Sequence, residues 1–100
     1  MSNMPDAGVA RPQSTACFSV HAPTDPSVMP RVLEVFTRRG VIPTVWHSAL
    51  CGSEGEEIQI DVQVAGLAPE TADRLAQCLR QLVSVRCVLT SEKRRVTVAA

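Results

Sequence analysis

The side chains able to do chemistry in this sequence are few and far apart. Four cysteines, Cys17, Cys51, Cys78 and Cys87, are spread along the chain with no C-x-x-C pair. Dithiol redox centres and zinc sites need ligands that the local backbone already brings together, so neither is indicated and no metal is expected. The cysteines read instead as small apolar residues of a protein kept in a reducing compartment. His21 and His47 are the two imidazoles, and neither has a nucleophile or metal-ligand spacing beside it. An active site requires a nucleophile, a base and polar stabilisers converging in one cleft. The expectation is a protein with no catalytic residues and no cofactor of its own.

Charge and aromatic content narrow the partners. Ten Lys and Arg balance ten Asp and Glu, so no net field favours nucleic acid or an anionic membrane. A net charge of zero suits association with other proteins. Phe18, Phe36 and Trp46 are the whole aromatic complement, which leaves little for stacking on bases. No apolar run approaches the roughly 20 residues that span a bilayer, and the N-terminus lacks a charged start followed by an apolar stretch. A cytoplasmic protein is expected. The 100 residues, 45% of them hydrophobic and 20% charged, suit one ordinary globular domain.

The elements that must position these residues follow from periodicity. Residues 1–15 mix Pro, Gly, Ser and Asn without a period and read as a disordered tail. Residues 16–22 alternate, with Ala16, Phe18, Val20 and Ala22 on one face and Cys17, Ser19 and His21 on the other. After the turn formers Pro23-Thr24-Asp25-Pro26-Ser27, Val28, Val32, Val35 and Phe36 recur at helical spacing up to Gly40, a natural left-handed closing residue. Pro30 places the helix start: with Ser27 as N-cap it is the third helical residue, whose N–H would have no acceptor within the helix. Arg38 and Arg39 suit the negative end of that helix.

Residues 42–50 read as a second strand, on an edge because Pro43 cannot donate to a ladder. The loop Cys51-Gly52-Ser53-Glu54-Gly55 leads to a third strand in which Ile58, Ile60, Val62 and Val64 alternate with Gln59, Asp61 and Gln63. Pro69, Glu70 and Asp73 open a second helix whose apolar stripe is Ala72, Leu75, Ala76, Leu79, Leu82 and Val83. Residues 85–90 form a short last strand, ending in the solvated charge run Ser91-Glu92-Lys93-Arg94-Arg95. One domain over residues 16–92, with a C-terminal tail over 93–100, is expected.

Strand, helix, strand, strand, helix, strand is the α+β, ferredoxin-like βαββαβ arrangement: a four-stranded antiparallel sheet with both helices on one face. Right-handed crossovers set the first and third strands in the centre and leave the second and fourth as edges. An unpaired edge invites another chain, so Val45, Trp46 and His47 are candidate interface residues. The first loop has no Cys pair for metal carriage and the third strand has no aromatics for RNA, so the fold alone leaves the function open.

The segment Asp25-Pro26-Ser27-Val28-Met29, followed by Arg31-Val32-Leu33-Glu34-Val35-Phe36-Thr37-Arg38-Arg39-Gly40, resembles the loop and first helix of the ACT domain family. Within that family it is most similar to the short small (regulatory) subunit of acetolactate synthase, through Ile58-Gln59-Ile60, Val64-Ala65 and Gln81-Leu82-Val83. The resemblance implies a homodimer in which Thr24, Asp25, Ser27, Val28 and Met29 occupy the effector-binding positions. A helix N-terminus would meet the effector's carboxylate, Asp25 its amino group, and Val28 with Met29 its aliphatic chain. Valine, leucine and isoleucine are the implied effectors, and the catalytic subunit of a thiamine-diphosphate enzyme the implied partner. Ser27 stands where the family's loop has glycine, a trait the short subunits share, which ranks docking to that partner above amino-acid sensing. The alternative is a stand-alone amino-acid-sensing dimer that regulates another enzyme.

Overall fold

The computed structural model describes residues 12–96. Its elements run β1 (Pro12–Pro23), α1 (Val28–Thr37), β2 (Val45–Cys51), β3 (Glu57–Ala65), α2 (Pro69–Arg80) and β4 (Cys87–Val96). The strands form one antiparallel sheet in the order β2-β3-β1-β4, which is the ferredoxin-like arrangement expected from the element order.

Alternation decides which face each side chain takes. Ala16, Phe18, Val20 and Ala22 of β1 pair in register with Val64, Val62, Ile60 and Ile58 of β3, and all eight are buried. Val28, Val32 and Phe36 of α1, and Leu75, Ala76 and Leu79 of α2, join them in one core. Phe18 and Phe36 meet edge to face with ring centroids 5.4 Å apart and planes at 76°, the arrangement aromatic quadrupoles favour. Both helices therefore cover the same face of the sheet.

Among the described residues no helix covers the opposite face, which is mostly polar but also exposes Val45 and Leu89. Gln59 Nε2 donates to Ser19 Oγ at 3.4 Å and to both Asp61 carboxylate oxygens at 3.3 Å, and Ser19 Oγ lies 3.2 Å from His21 Nε2. A sheet face left to water satisfies its side chains in this way. Cys17, Cys51, Cys78 and Cys87 are all free thiols. Among the described residues, no group of three His, Cys, Asp or Glu side chains is placed to hold a metal ion.

Local sequence signals set the helix ends. α1 closes in a Schellman motif: Val41 N–H donates to Phe36 O and Gly40 N–H to Thr37 O, both at 3.0 Å, with Gly40 at φ 68°. Pro69 lies in the first turn of α2 and Glu70 beside it, while Arg80 in the last turn donates to Val88 O at 2.9 Å.

Several boundaries differ from expectation. β1 begins at Pro12 and β4 continues to Val96, so residues 12–15 and 93–96 are strand, not tail. Beyond the end of β3 these two strands pair with each other, from Pro12↔Val96 to Ser14↔Arg94. Backbone hydrogen bonds carry a ladder whatever the side chains, and a charged strand is tolerated on an edge. The remaining tail residues, 1–11 and 97–100, lie outside the described residues. β2 starts at Val45, after Pro43, with Thr44 N–H bonded to Gln63 O at 2.7 Å. α2 stops at Arg80, so Val83 falls off the helical period and is 96% exposed, not part of the apolar stripe.

The core predicts its own mutational profile. Phe36→Ala removes a fully buried ring and is expected to destabilise the domain by about 3–5 kcal/mol, whereas Val83→Ser is expected to change stability by less than about 0.5 kcal/mol. Urea-unfolding midpoints of the two variants check both values.

Candidate functional site

The loop between β1 and α1 and the first turn of α1 hold the five residues expected to meet an effector, and the loop's hydrogen bonds are largely spent within the chain. Thr24 N–H donates to Glu56 O at 3.0 Å, and the Thr24 hydroxyl donates to Gly55 O. This residue therefore ties the loop to the β2–β3 hairpin. Asp25 accepts from Ser27 N–H and from Ser27 Oγ, each at 2.9 Å and both at Oδ1, and Asp25 O accepts from Val28 N–H at 3.0 Å. The backbone and hydroxyl bonds from Ser27, with Arg31 nearby, hold the Asp25 carboxyl below its ordinary value of 3.8.

The consequence for an anion is direct. A helix start attracts a carboxylate through N–H groups that have no acceptor within the helix. Here Ser27 and Val28 have given theirs to Asp25, and Pro30 has none to give. Ser27 itself sits at φ −75° and ψ −10°, a right-handed conformation open to any residue, so the backbone does not require glycine there. Its side chain faces Asp25 and does not cap the helix.

The aliphatic side of the expected site is rearranged. Val28 is 1% exposed and belongs to the core, so its side chain is closed to a ligand. Met29 is 36% exposed, and its sulfur accepts a hydrogen bond from Ser48 Oγ of β2 at 3.6 Å. Leu33 follows one helical turn after Met29 and is exposed as well. On β2, Trp46 and Leu50 share the helix-facing side with Ser48, because side chains alternate along a strand. Met29 and Leu33 of α1 and Leu50 of β2 are thus exposed apolar side chains on two elements joined by the Ser48–Met29 hydrogen bond, a candidate apolar strip.

The three edge residues separate across the sheet. Trp46, in register with buried Val62, is half-buried and packs against the core within the chain. Val45 and His47, in register with Gln63 and Asp61, are exposed on the polar face. The strip residues Leu33 and Leu50 and the loop partners Gly55 and Glu56 were not among the sequence-derived candidates. Leu33 carried a signal, an apolar residue four positions after Met29 and off the buried stripe; the Thr24 tether carried none. Glu56 is itself held below the usual carboxylate range by the backbone N–H of Glu54, 3.0 Å from its Oε1, and then by its own backbone N–H.

The fold and this loop–edge constellation define a small split-βαβ module. The chain belongs to the ACT-like domain family, which matches residues 10–96. Among solved structures it is similar to the ACT domain of GTP pyrophosphokinase from Chlorobium tepidum, with a TM-score of 0.64 at 9% identity, covering 79% of this chain and 86% of that one. It is also similar to the C-terminal domain of the MgtC protein from Mycobacterium tuberculosis, with a TM-score of 0.64 at 12% identity over 86% of this chain and 94% of that one. The regulatory subunit of aspartate kinase from Thermus flavus aligns with a TM-score of 0.59 at 12% identity, over 88% of this chain and 59% of that one. At these identities the likeness is one of fold. No curated protein matches the chain.

The Asp25–Ser27 bonds have a pH signature. A carboxyl held below its ordinary value contributes stability that is present above that value and is lost as pH falls through the lowered one. Carboxyl NMR titration should place Asp25 below 3.8, and Ser27→Ala should move its midpoint upward while leaving that of Glu56 in place.

Proposed function

We propose that this chain is a non-catalytic regulatory module that forms a homodimer and acts by docking to the catalytic subunit of acetolactate synthase, as its small regulatory subunit in branched-chain amino-acid biosynthesis. The observation that carries the docking half is the apolar strip of Met29, Leu33 and Leu50 beside the unpaired edge of β2. β2 has no Lys, Arg, Asp or Glu from Val45 to Cys51, so nothing on it repels a second strand. β4, the other edge, carries Glu92, Lys93 and Arg94, all exposed. The free edge suited to another chain is therefore β2.

The choice of acetolactate synthase rests on the resemblance of the Asp25 to Gly40 segment. On this reading the thiamine diphosphate and the chemistry belong to the catalytic partner. Among the described residues no helix is long and apolar enough to cross a membrane, and the proposed address is the cytoplasm. Neither nucleic acid nor membrane is a proposed partner.

A second reading, an amino-acid-sensing dimer for valine, leucine or isoleucine, is favoured by two features of the loop. Asp25 Oδ2 takes no hydrogen bond among the described residues, and Met29, four residues further on, is exposed. The docking reading ranks first because two of the helix-start N–H groups that would receive the effector's carboxylate, those of Ser27 and Val28, are bonded to Asp25, and Pro30 has none.

Two measurements bear on these readings. Leu50→Lys combined with Leu33→Glu is expected to weaken the complex with the catalytic subunit about ten-fold or more in sedimentation experiments, with the folded domain intact; an unchanged complex would place the docking surface elsewhere. Co-expression with an acetolactate synthase catalytic subunit is expected to raise acetolactate formation and to yield a co-purifying complex. Unchanged activity without co-purification would refute docking, and calorimetric silence with all three branched-chain amino acids would refute sensing.

A further inference from the structure

A cleft of about 520 Å³ lies between the ends of the two helices, on the helical side of the domain and apart from the β1–α1 loop. It is lined by Val35, Arg38, Arg39, Cys78, Gln81 and Leu82. Its apolar walls come from Val35 and Leu82, both half-buried against the core, and its polar groups are two guanidiniums, an amide and a thiol.

The two arginines differ in how they are satisfied. Arg38 is committed to Glu34, one helical turn earlier, with Nε at 3.2 Å and NH2 at 3.0 Å from the same carboxylate oxygen. Arg39 donates from NH2 to Cys78 Sγ at 3.3 Å, a weak acceptor. Among the described residues no carboxylate pairs with Arg39. A guanidinium presents five donors in a fixed fork, so most of this one's capacity is unused.

Helix ends ordinarily offer unpaired carbonyls that would repel an anion. Here they are largely occupied. Glu34 O, Phe36 O and Thr37 O accept backbone N–H groups from residues 38–41, and Gln77 O, Cys78 O and Leu79 O accept them from Gln81 and Leu82. With Glu34 neutralised by Arg38, the uncompensated charge lining the cleft is the Arg39 cation.

We propose that this cleft is a binding site for a small anion, a phosphate or a carboxylate, received by the Arg39 fork with Gln81 as a second donor. A short aliphatic group on the ligand would lie against Val35 and Leu82. Planar two-point recognition of this kind is what arginine provides and lysine does not. The site is independent of the docking reading, because it uses neither the β1–α1 loop nor the β2 edge.

Cys78 reports occupancy from within. It lies on the tryptic peptide of residues 75–80 and Cys87 on that of residues 87–93, so one digest follows both thiols in the same molecule. The reduced full chain is treated with a thiol alkylator alone and with inorganic phosphate, pyrophosphate or isovalerate. At an anion concentration about ten times its Kd, alkylation of Cys78 is expected to slow about ten-fold while that of Cys87 is unchanged. Arg39→Gln should weaken protection about ten-fold or more, and Arg94→Gln, which removes the same charge on β4 outside the cleft lining, should not. Protection by phosphate or pyrophosphate alone identifies a phosphate site, and protection by isovalerate a carboxylate site. No protection by any of the three, or protection that survives Arg39→Gln, overturns the proposal.

Discussion

The antiparallel register between β1 and β3 governs the rest of the structure. Phe18 lies opposite Val62 and Val20 opposite Ile60, all four buried under the helices. Each such side chain is worth about 1.5–3 kcal/mol in burial, and a shift of one residue would turn a whole strand's set out to water. The same register necessarily puts Cys17, Ser19 and His21 with Gln63, Asp61 and Gln59 on the other face, where hydrogen bonds link Ser19 to both His21 and Gln59. Core and polar face are two results of one pairing.

With β1 and β3 central, β2 and β4 become edges, and the two edges meet solvent differently. β4 is long, and Glu92, Lys93 and Arg94 stand on it, charges that discourage a second strand from adding. β2 is short and uncharged, and α1 lies over it with Met29 near enough for Ser48 to donate to its sulfur. The asymmetry concentrates associating capacity along one side of the domain. The β1–α1 loop is tied to the β2–β3 hairpin through Thr24, which bonds to Gly55 O and Glu56 O.

The fold was legible because its signals are periodic and local: alternation in residues 16–22 and 58–64, a 3.6-residue period through Val28, Val32 and Phe36, Gly40 as a closing residue and Pro69 as an opening one. Strand ends were not, since Pro12 to Ser14 and Arg94 to Val96 are held by backbone pairing with each other, which side-chain composition does not report. Val83 continued an apolar pattern past the point where its helix ends. At the loop, the residues were legible and their commitments were not. That Thr24 is bound to Gly55 and Glu56, more than thirty residues away, is tertiary information. Trp46 illustrates the middle case: its neighbours Val45 and His47 take the opposite face by alternation alone, yet which face is inward depends on its register with Val62.

Among the described residues, a guanidinium without a carboxylate partner stands at the helix ends, whereas the first helix start has a carboxylate of its own chain. At the beginning of α1, Asp25 absorbs the N–H groups of Ser27 and Val28, and Pro30 supplies none, so the dipole there is met by a resident carboxylate. At the ends of α1 and α2, chain-closing bonds occupy several last-turn carbonyls, and Arg39 stands over a cleft with a thiol as its side-chain partner among the described residues. Backbone donors bind anions wherever a loop exposes them, whereas a guanidinium imposes planarity and two-point geometry. By closing the first arrangement on itself and leaving the second open, this sequence shifts its capacity for anion recognition from the backbone of a loop to one side chain on a helix end.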